Sequence, residues 1–114
     1  MCRIFTSVDP AVTESETRAI RLHGHATSVR LEAAFWTILE EIAAAEGMAL
    51  VRFLTVLHDE MALRHGEVTN FASMLRVTCL QYLRYQTLHA NEVAMRREGK
   101  RHGFETAENR AVLA

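Results

Sequence analysis

The sequence has one proline, two cysteines, almost no net charge and no long apolar run. Each scarcity excludes something. A single proline in 114 residues, of which 49% are hydrophobic and 24% charged, excludes a disordered chain and favours an ordered, mostly helical domain. That length suffices for one core and not for two independent ones. Cys2 and Cys79 are too few and too far apart for a disulfide scaffold, and no C-x-x-C pair exists. A reduced, cytoplasmic setting is therefore expected, with Cys79 as a small buried apolar group. The opening MCRIFTSVDPAVTESE has neither the basic start nor the apolar run of a secretion signal,. No stretch reaches the length of a membrane span, and there are no internal repeats.

A formal net charge of −1 argues against coating nucleic acid by bulk charge, but the distribution is uneven. From Arg18 to Leu31 the chain holds Arg18, Arg21 and Arg30, with His23 and His25 alongside and no acid. The block from Glu32 to Gly66 holds Glu32, Glu40, Glu41, Glu46, Asp59 and Glu60 against Arg52 and Arg64. A basic face on a neutral molecule suits site-directed anion binding, and a balanced solvated surface gives the same count.

The organising stretch runs from His25 to Gly66. Val29 and Leu31 alternate with Ser28 and Arg30, the pattern of a half-buried strand,. Phe35, Ile38, Leu39 and Ile42 then recur at helical spacing. The helix they predict begins near Glu32 or Ala33, runs through Ala43-Ala44-Ala45 and ends at Gly47 as its left-handed terminal residue,. Leu50, Phe53, Leu54, Leu57 and Met61 predict a second helix from Ala49 or Leu50,. That helix has no side chain suited to its N-cap, which leaves its first N–H groups free for another acceptor. Asn70 caps a third helix carrying Phe71, Met74, Leu75, Cys79, Leu80, Tyr82, Leu83 and Leu88. Its apolar content is too broad for one stripe, so it is expected to pack on two sides, against the second helix and against a partner chain.

Upstream, Arg3 to Val8 reads as a short extended segment, Asp9-Pro10 as a turn, and Ala11 to Thr17 as loop or a single helical turn,. Thr17 to Leu22 alternates again, with Ile20 and Leu22 opposite Ala19 and Arg21, and Gly24 permits a change of direction,. A lone strand at 25–32 needs a mate, because its backbone groups would otherwise lack partners. The simplest mate is the same strand of a second copy, paired antiparallel about a two-fold axis. The alternative is that the two extended runs of one chain fold back on each other.

These residues resemble a known family. The segment Thr27 to Gly66, with S-V-R-L-E opening the first helix and E-G opening the second, is similar to the ribbon-helix-helix superfamily of bacterial DNA-binding proteins. The strings MCRIFTSVDP, TRAIRLHGHATSVRLEAAFW and NFASMLRVTCLQYL resemble a little-characterised subfamily of it, across about nine tenths of the chain. The resemblance implies a mainly α protein with a short β-strand: an intertwined homodimer with an intermolecular two-stranded antiparallel ribbon and an additional C-terminal helix. The expected organisation is an N-terminal arm at 1–24, the ribbon-helix-helix core at 25–66, a third helix extending the dimer core at 67–91, and a charged tail at 92–114.

The function so implied is sequence-specific binding of double-stranded DNA, with the ribbon in the major groove, in a transcriptional repressor. Ala26, Ser28 and Arg30 fall on the superfamily's outward strand positions and would contact bases. Arg30 suits a bidentate contact to guanine, Ser28 either kind of base, and Ala26 a thymine methyl. Arg18, Arg21, His23 and His25, with the N–H groups of Met48, Ala49 and Leu50, would hold phosphates. Two positions depart from the superfamily. Ala49 stands where a serine or threonine is common, leaving the clamp to main-chain N–H groups, and Ala26 removes one hydrogen-bonding base contact.

Other chemistry is weaker. His23-x-His25 lacks further ligands at metal-binding spacing, His58, Asp59 and His65 read as helix-surface residues, and Trp36 reads as packing. Some relatives carry an aryl-sulfate sulfotransferase label, but no glycine-rich phosphate loop or compact catalytic cluster is present. No enzyme activity, metal or cofactor is expected. A second reading is a protein-interaction module, antitoxin-like, that grips another protein with the third helix and the tail.

Overall fold

The computed structural model describes residues 6–101, with side chains through residue 98. The expectations for Arg3 to Phe5, for Cys2 and for residues 102–114 lie outside the described residues. A single 3-10 turn, Pro10–Thr13, is capped by Asp9, whose side chain accepts from the Ala11 amide. Strands β1 (Ser15–Leu22) and β2 (His25–Glu32) follow, then helices α1 (Ala33–Ala45), α2 (Leu50–His65) and α3 (Phe71–Arg101). Of the stretch Ala11 to Thr17, expected as loop or a single helical turn, the first three residues are that turn and the last three are strand, and the region expected to be an arm contains half of the sheet.

Within the chain β2 pairs with β1, the alternative that the sequence left open, in an antiparallel hairpin whose register runs from Ser15↔Glu32 to Leu22↔His25. His23 and Gly24 form the two-residue connection with φ of 52° and 84°, the positive values that a type I′ hairpin turn requires at both central positions. Glycine adopts that conformation freely and histidine is among the residues that tolerate it. The hairpin pairs one edge of β2 with β1, and among the described residues its other edge is unpaired.

Alternation then sorts the hairpin into two faces. Ile20, Leu22, Val29 and Leu31 are all at most 6% exposed, so the inner face is sealed by the chain's own helices. The other buried residues are Trp36, Leu39, Ile42 and Ala43 of α1, Phe53 and Leu54 of α2, and Leu75 and Cys79 near the start of α3. Burying a leucine or valine of this kind contributes about 1.5–3 kcal/mol, which is why the period-two and period-3.6 patterns dictate which faces meet.

Local signals set the helix ends as the sequence indicates. After Ala45, Gly47 takes φ 71°. Its amide donates to the Ala44 carbonyl at 3.0 Å and the Met48 amide to that of Ala43 at 2.9 Å, closing a Schellman motif,. Helix α2 starts after Ala49 with no side-chain cap. Helix α3 is capped by Asn70, whose Oδ1 accepts from the Ser73 amide at 3.1 Å. It runs to Arg101, well past residue 91 and into the stretch read as a charged tail. The described residues divide into two compact units after Cys79, and the second is the helical segment 80–101.

Candidate nucleic-acid interface

The outer face of the hairpin is built by elimination. With Ile20, Leu22, Val29 and Leu31 turned inward, the alternate positions must face out, and Thr17, Ala19, Arg21, Ala26, Ser28 and Arg30 are all exposed. The register sets them in cross-strand pairs: Thr17 with Arg30, Ala19 with Ser28, and Arg21 with Ala26. Ala26, Ser28 and Arg30 thus lie in one row along β2, as their spacing predicts. Reading the hairpin region as an arm missed the second row, on β1. The alternation of Thr17 to Leu22 was the signal for it.

Two guanidinium groups stand on this surface. The Nη1 of Arg21 donates to the Gly24 carbonyl at 2.9 Å, which braces the side chain against the turn while leaving other donors of the fork open. Glu32 ends the same row of β2, but its carboxylate accepts from Arg76 Nε at 3.0 Å. A hydrogen bond from its own backbone and then the Arg76 cation hold its pKa below the ordinary carboxylate value.

The other expected phosphate contacts are distributed differently. Arg18 is on the inner side, 4.5 Å above the Trp36 ring, with its Nε 2.7 Å from Glu16 and its Nη1 3.0 Å from Glu40. The hydrogen bond to Glu16 is the chief reason its pKa is raised. A cation engaged by two carboxylates and an aromatic ring joins β1 to α1 and has little left for a phosphate. His23 is at the turn, where its Nε2 is 2.7 Å from Asp59 Oδ1 of α2, so Asp59 is a tether rather than a plain surface residue. His25 is exposed at the start of β2. His58 is likewise more than surface: its ring meets the Phe71 edge at 5.0 Å, and its Nδ1 is buried without a hydrogen-bond partner among the described residues.

At the α2 terminus the Met48 amide is already committed to the Ala43 carbonyl, so it drops out of the expected clamp. The first helical bond there is donated by Phe53 to Ala49 at 3.0 Å. The amides of Leu50, Val51 and Arg52 precede it and carry the positive end of the helix dipole.

The ribbon-helix-helix domain profile matches residues 15–83, which span the hairpin, α1, α2 and the first part of α3. The chain belongs to the ribbon-helix-helix family. Its match begins at the first residue of β1, so the family domain includes the hairpin's first strand. This ribbon-helix-helix chain is also similar to a solved structure, that of an uncharacterized protein from Bordetella pertussis Tohama I. The two are 46% identical with a TM-score of 0.71, over 80% of this chain and 70% of that one. No curated protein matches the chain. Ribbon-helix-helix proteins generally bind DNA or act as regulators, and they generally form dimers.

Among the described residues no group of histidine, cysteine or acidic side chains is placed to hold a metal ion, and no helix is long and apolar enough to cross a membrane. Cys79 is buried, and burial pushes its thiol up to about 11, the opposite of what an activated nucleophile needs.

Proposed function

We propose that this protein binds double-stranded DNA sequence-specifically by laying its β-ribbon in the major groove, and that it represses transcription of its own or neighbouring genes. The observation that carries this reading is the two-faced hairpin: one face carries Ile20, Leu22, Val29 and Leu31 into the core, the other is an open row of Ala26, Ser28 and Arg30. A two-stranded ribbon fits a groove about 12 Å wide, and alternate side chains then reach base edges. Arg30 reads guanine, Ser28 contributes an adaptable hydroxyl, and Ala26 offers a methyl contact. His25 and the open amides at the start of α2 hold phosphates, which makes affinity fall with salt.

The test is selection of bound sequences from a random duplex pool, followed by titration of the winning duplex. Arg30→Ala is expected to leave the fold intact and to weaken that duplex by about 1–3 kcal/mol. Unchanged affinity would remove Arg30 from base recognition.

A homodimer is part of the proposal, and its support lies on α3. Leu80, Leu83 and Leu88 are exposed and, with Arg84 and Thr87, line a shallow apolar groove on the helical segment. In an antiparallel pairing with a second copy, centred near Thr87 and Leu88, Leu80 falls opposite the second copy's Met95 and Arg84 opposite its Asn91 and Glu92. That register sets an apolar pair at Leu80 and Met95 and places the Arg84 cation near the Glu92 carboxylate. Sedimentation of wild type against a Leu80→Glu, Leu88→Glu double variant checks this: a dimer turned monomer supports it, and an unaltered state excludes the stripe. The same groove favours the second reading, an antitoxin-like module. It gains if purified wild type is monomeric and a coexpressed neighbouring gene product copurifies through α3.

A further inference from the structure

Arg30 is followed two residues later, in the same row of β2, by an acid, Glu32. A carboxylate in that place works against a base-reading arginine twice, by pairing with the guanidinium and by repelling the phosphates on either side of the groove. We propose that Arg76 of α3 is a positioning residue for this row: it holds the Glu32 carboxylate aside, so that Arg30 stands free to face a base. The inference rests on the DNA-binding reading above and adds to it a residue that lies outside the ribbon. It concerns side chains of one chain, so it applies alike to each protomer of a dimer.

Three observations carry it. The first is spacing. Residues two apart on a strand point the same way and lie about 6.6 Å apart, within reach of an arginine and a glutamate. The neighbouring strand shows what such a pair does: on β1, Glu16 and Arg18 are also two apart, and Arg18 Nε lies 2.7 Å from Glu16 Oε2. Arg30 and Glu32 have the same groups at the same spacing in reverse order. Yet among the described residues Arg30 forms no ion pair, and it is exposed.

The second is the competitor. Arg76 Nε donates to Glu32 Oε1 at 3.0 Å, and the Arg76 guanidinium lies 5.9 Å from the centre of the Phe35 ring. The preceding residue, Leu75, is 0% exposed, so the core fixes the turn of α3 from which Arg76 reaches. Both partners of the ion pair are partly buried, where charges are screened less than on an open surface.

The third is charge. The Glu32 pKa is lowered first by the hydrogen bond to its own backbone, then by Arg76 and last by Arg30. The carboxylate is therefore ionised at neutral pH, and Arg30 is near enough to feel it. With Arg76 removed, Arg30 is the other cation acting on Glu32, and the pairing seen on β1 becomes open to it.

The experiment uses the full chain and the duplex that wild type selects from a random pool, with Arg30→Ala marking the position that Arg30 reads. Wild type is compared with Arg76→Met, Glu32→Gln, the double variant and Arg76→Lys. Methionine keeps a long apolar stem beside Phe35 and removes the charged head. Arg76→Met is expected to bind about 5-fold more weakly, the lower end of the loss for Arg30→Ala, and to flatten the guanine preference at the Arg30 position. Glu32→Gln is expected to bind as wild type does, and Arg76→Lys, which keeps a cation for Glu32, to retain the preference. The double variant is expected to recover both affinity and preference. That recovery decides the matter, because a residue that only braced α3 would leave the double variant as weak as Arg76→Met. Arg76→Gln, alone and with Glu32→Gln, repeats the comparison with a polar side chain in case methionine disturbs folding.

Wild-type affinity and preference in Arg76→Met, or a double variant that stays weak, overturns the inference and leaves the DNA-binding reading standing. Weakening that is uniform across sequences, with a salt slope smaller by about one, makes Arg76 a phosphate contact and overturns it as well. Failure of wild type to enrich any sequence overturns both.

Discussion

The indole Nε1 of Trp36 donates to the backbone carbonyl of Glu16 at 2.8 Å. With the Ala33 amide on the Glu14 carbonyl at 2.8 Å, it pins the start of β1 to the first helix that follows the hairpin. A tryptophan 1% exposed thus fills the core with its ring and anchors the strand that gives β2 its mate. Trp36→Phe removes the donor and some volume, and is expected to cost about 2 kcal/mol, read as a lower urea midpoint. The amides of β1 should exchange hydrogen faster in that variant, while those of α2 change only with global stability.

Gly47 makes a separate prediction about the turn between α1 and α2. Its φ of 71° is left-handed, and a Cβ built there meets nothing within 4 Å. The cost of Gly47→Ala is therefore conformational and not steric, about 1–2 kcal/mol. Asparagine should cost less than alanine, since it visits this region more readily. Equal melting temperatures for the glycine, asparagine and alanine proteins would remove the Schellman turn as a stabilising feature.

Glu32 should make stability depend on acid. Its folded pKa is depressed, first by its own backbone hydrogen bond and then by Arg76. The stabilisation is present above the unfolded value, near 4.5, and is lost as pH falls through the lower folded value. Glu32→Gln should therefore flatten the decline of stability below about pH 4.5 relative to wild type. Identical acid unfolding curves would mean that the Arg76 contact does not persist in solution.

Cys79 behaves in the opposite sense. Burial raises its thiol to about 11, so its neutral form is favoured in the fold. That contribution is present below the unfolded value, near 9, and disappears as pH rises through about 11. In a Cys2→Ser background, labelling by a thiol-reactive disulfide at pH 8 should be slow in the native protein and fast in denaturant. Rapid native labelling would contradict the burial of Cys79 beside the Phe35 carbonyl, 3.8 Å from its sulfur.

The sequence by itself determined the elements whose signals are local. The alternation through Val29 and Leu31 fixed which side chains of β2 face out, and helical spacing placed α1, α2 and the start of α3. Gly47 and Asn70 set boundaries within a residue, because a left-handed terminus or a side-chain cap acts over one turn of chain. Only the tertiary structure decided the partners. The pairing of β2 with β1 depends on a two-residue turn and on a latch from Trp36, 20 residues from the carbonyl it binds. Likewise Arg18, His23 and the Met48 amide look available in the sequence, and are engaged by Glu40, Asp59 and the Ala43 carbonyl once the chain is folded. Periodicity states which face of a segment is apolar. Which distant group meets it depends on how the faces pack, and one segment's pattern carries no record of that choice.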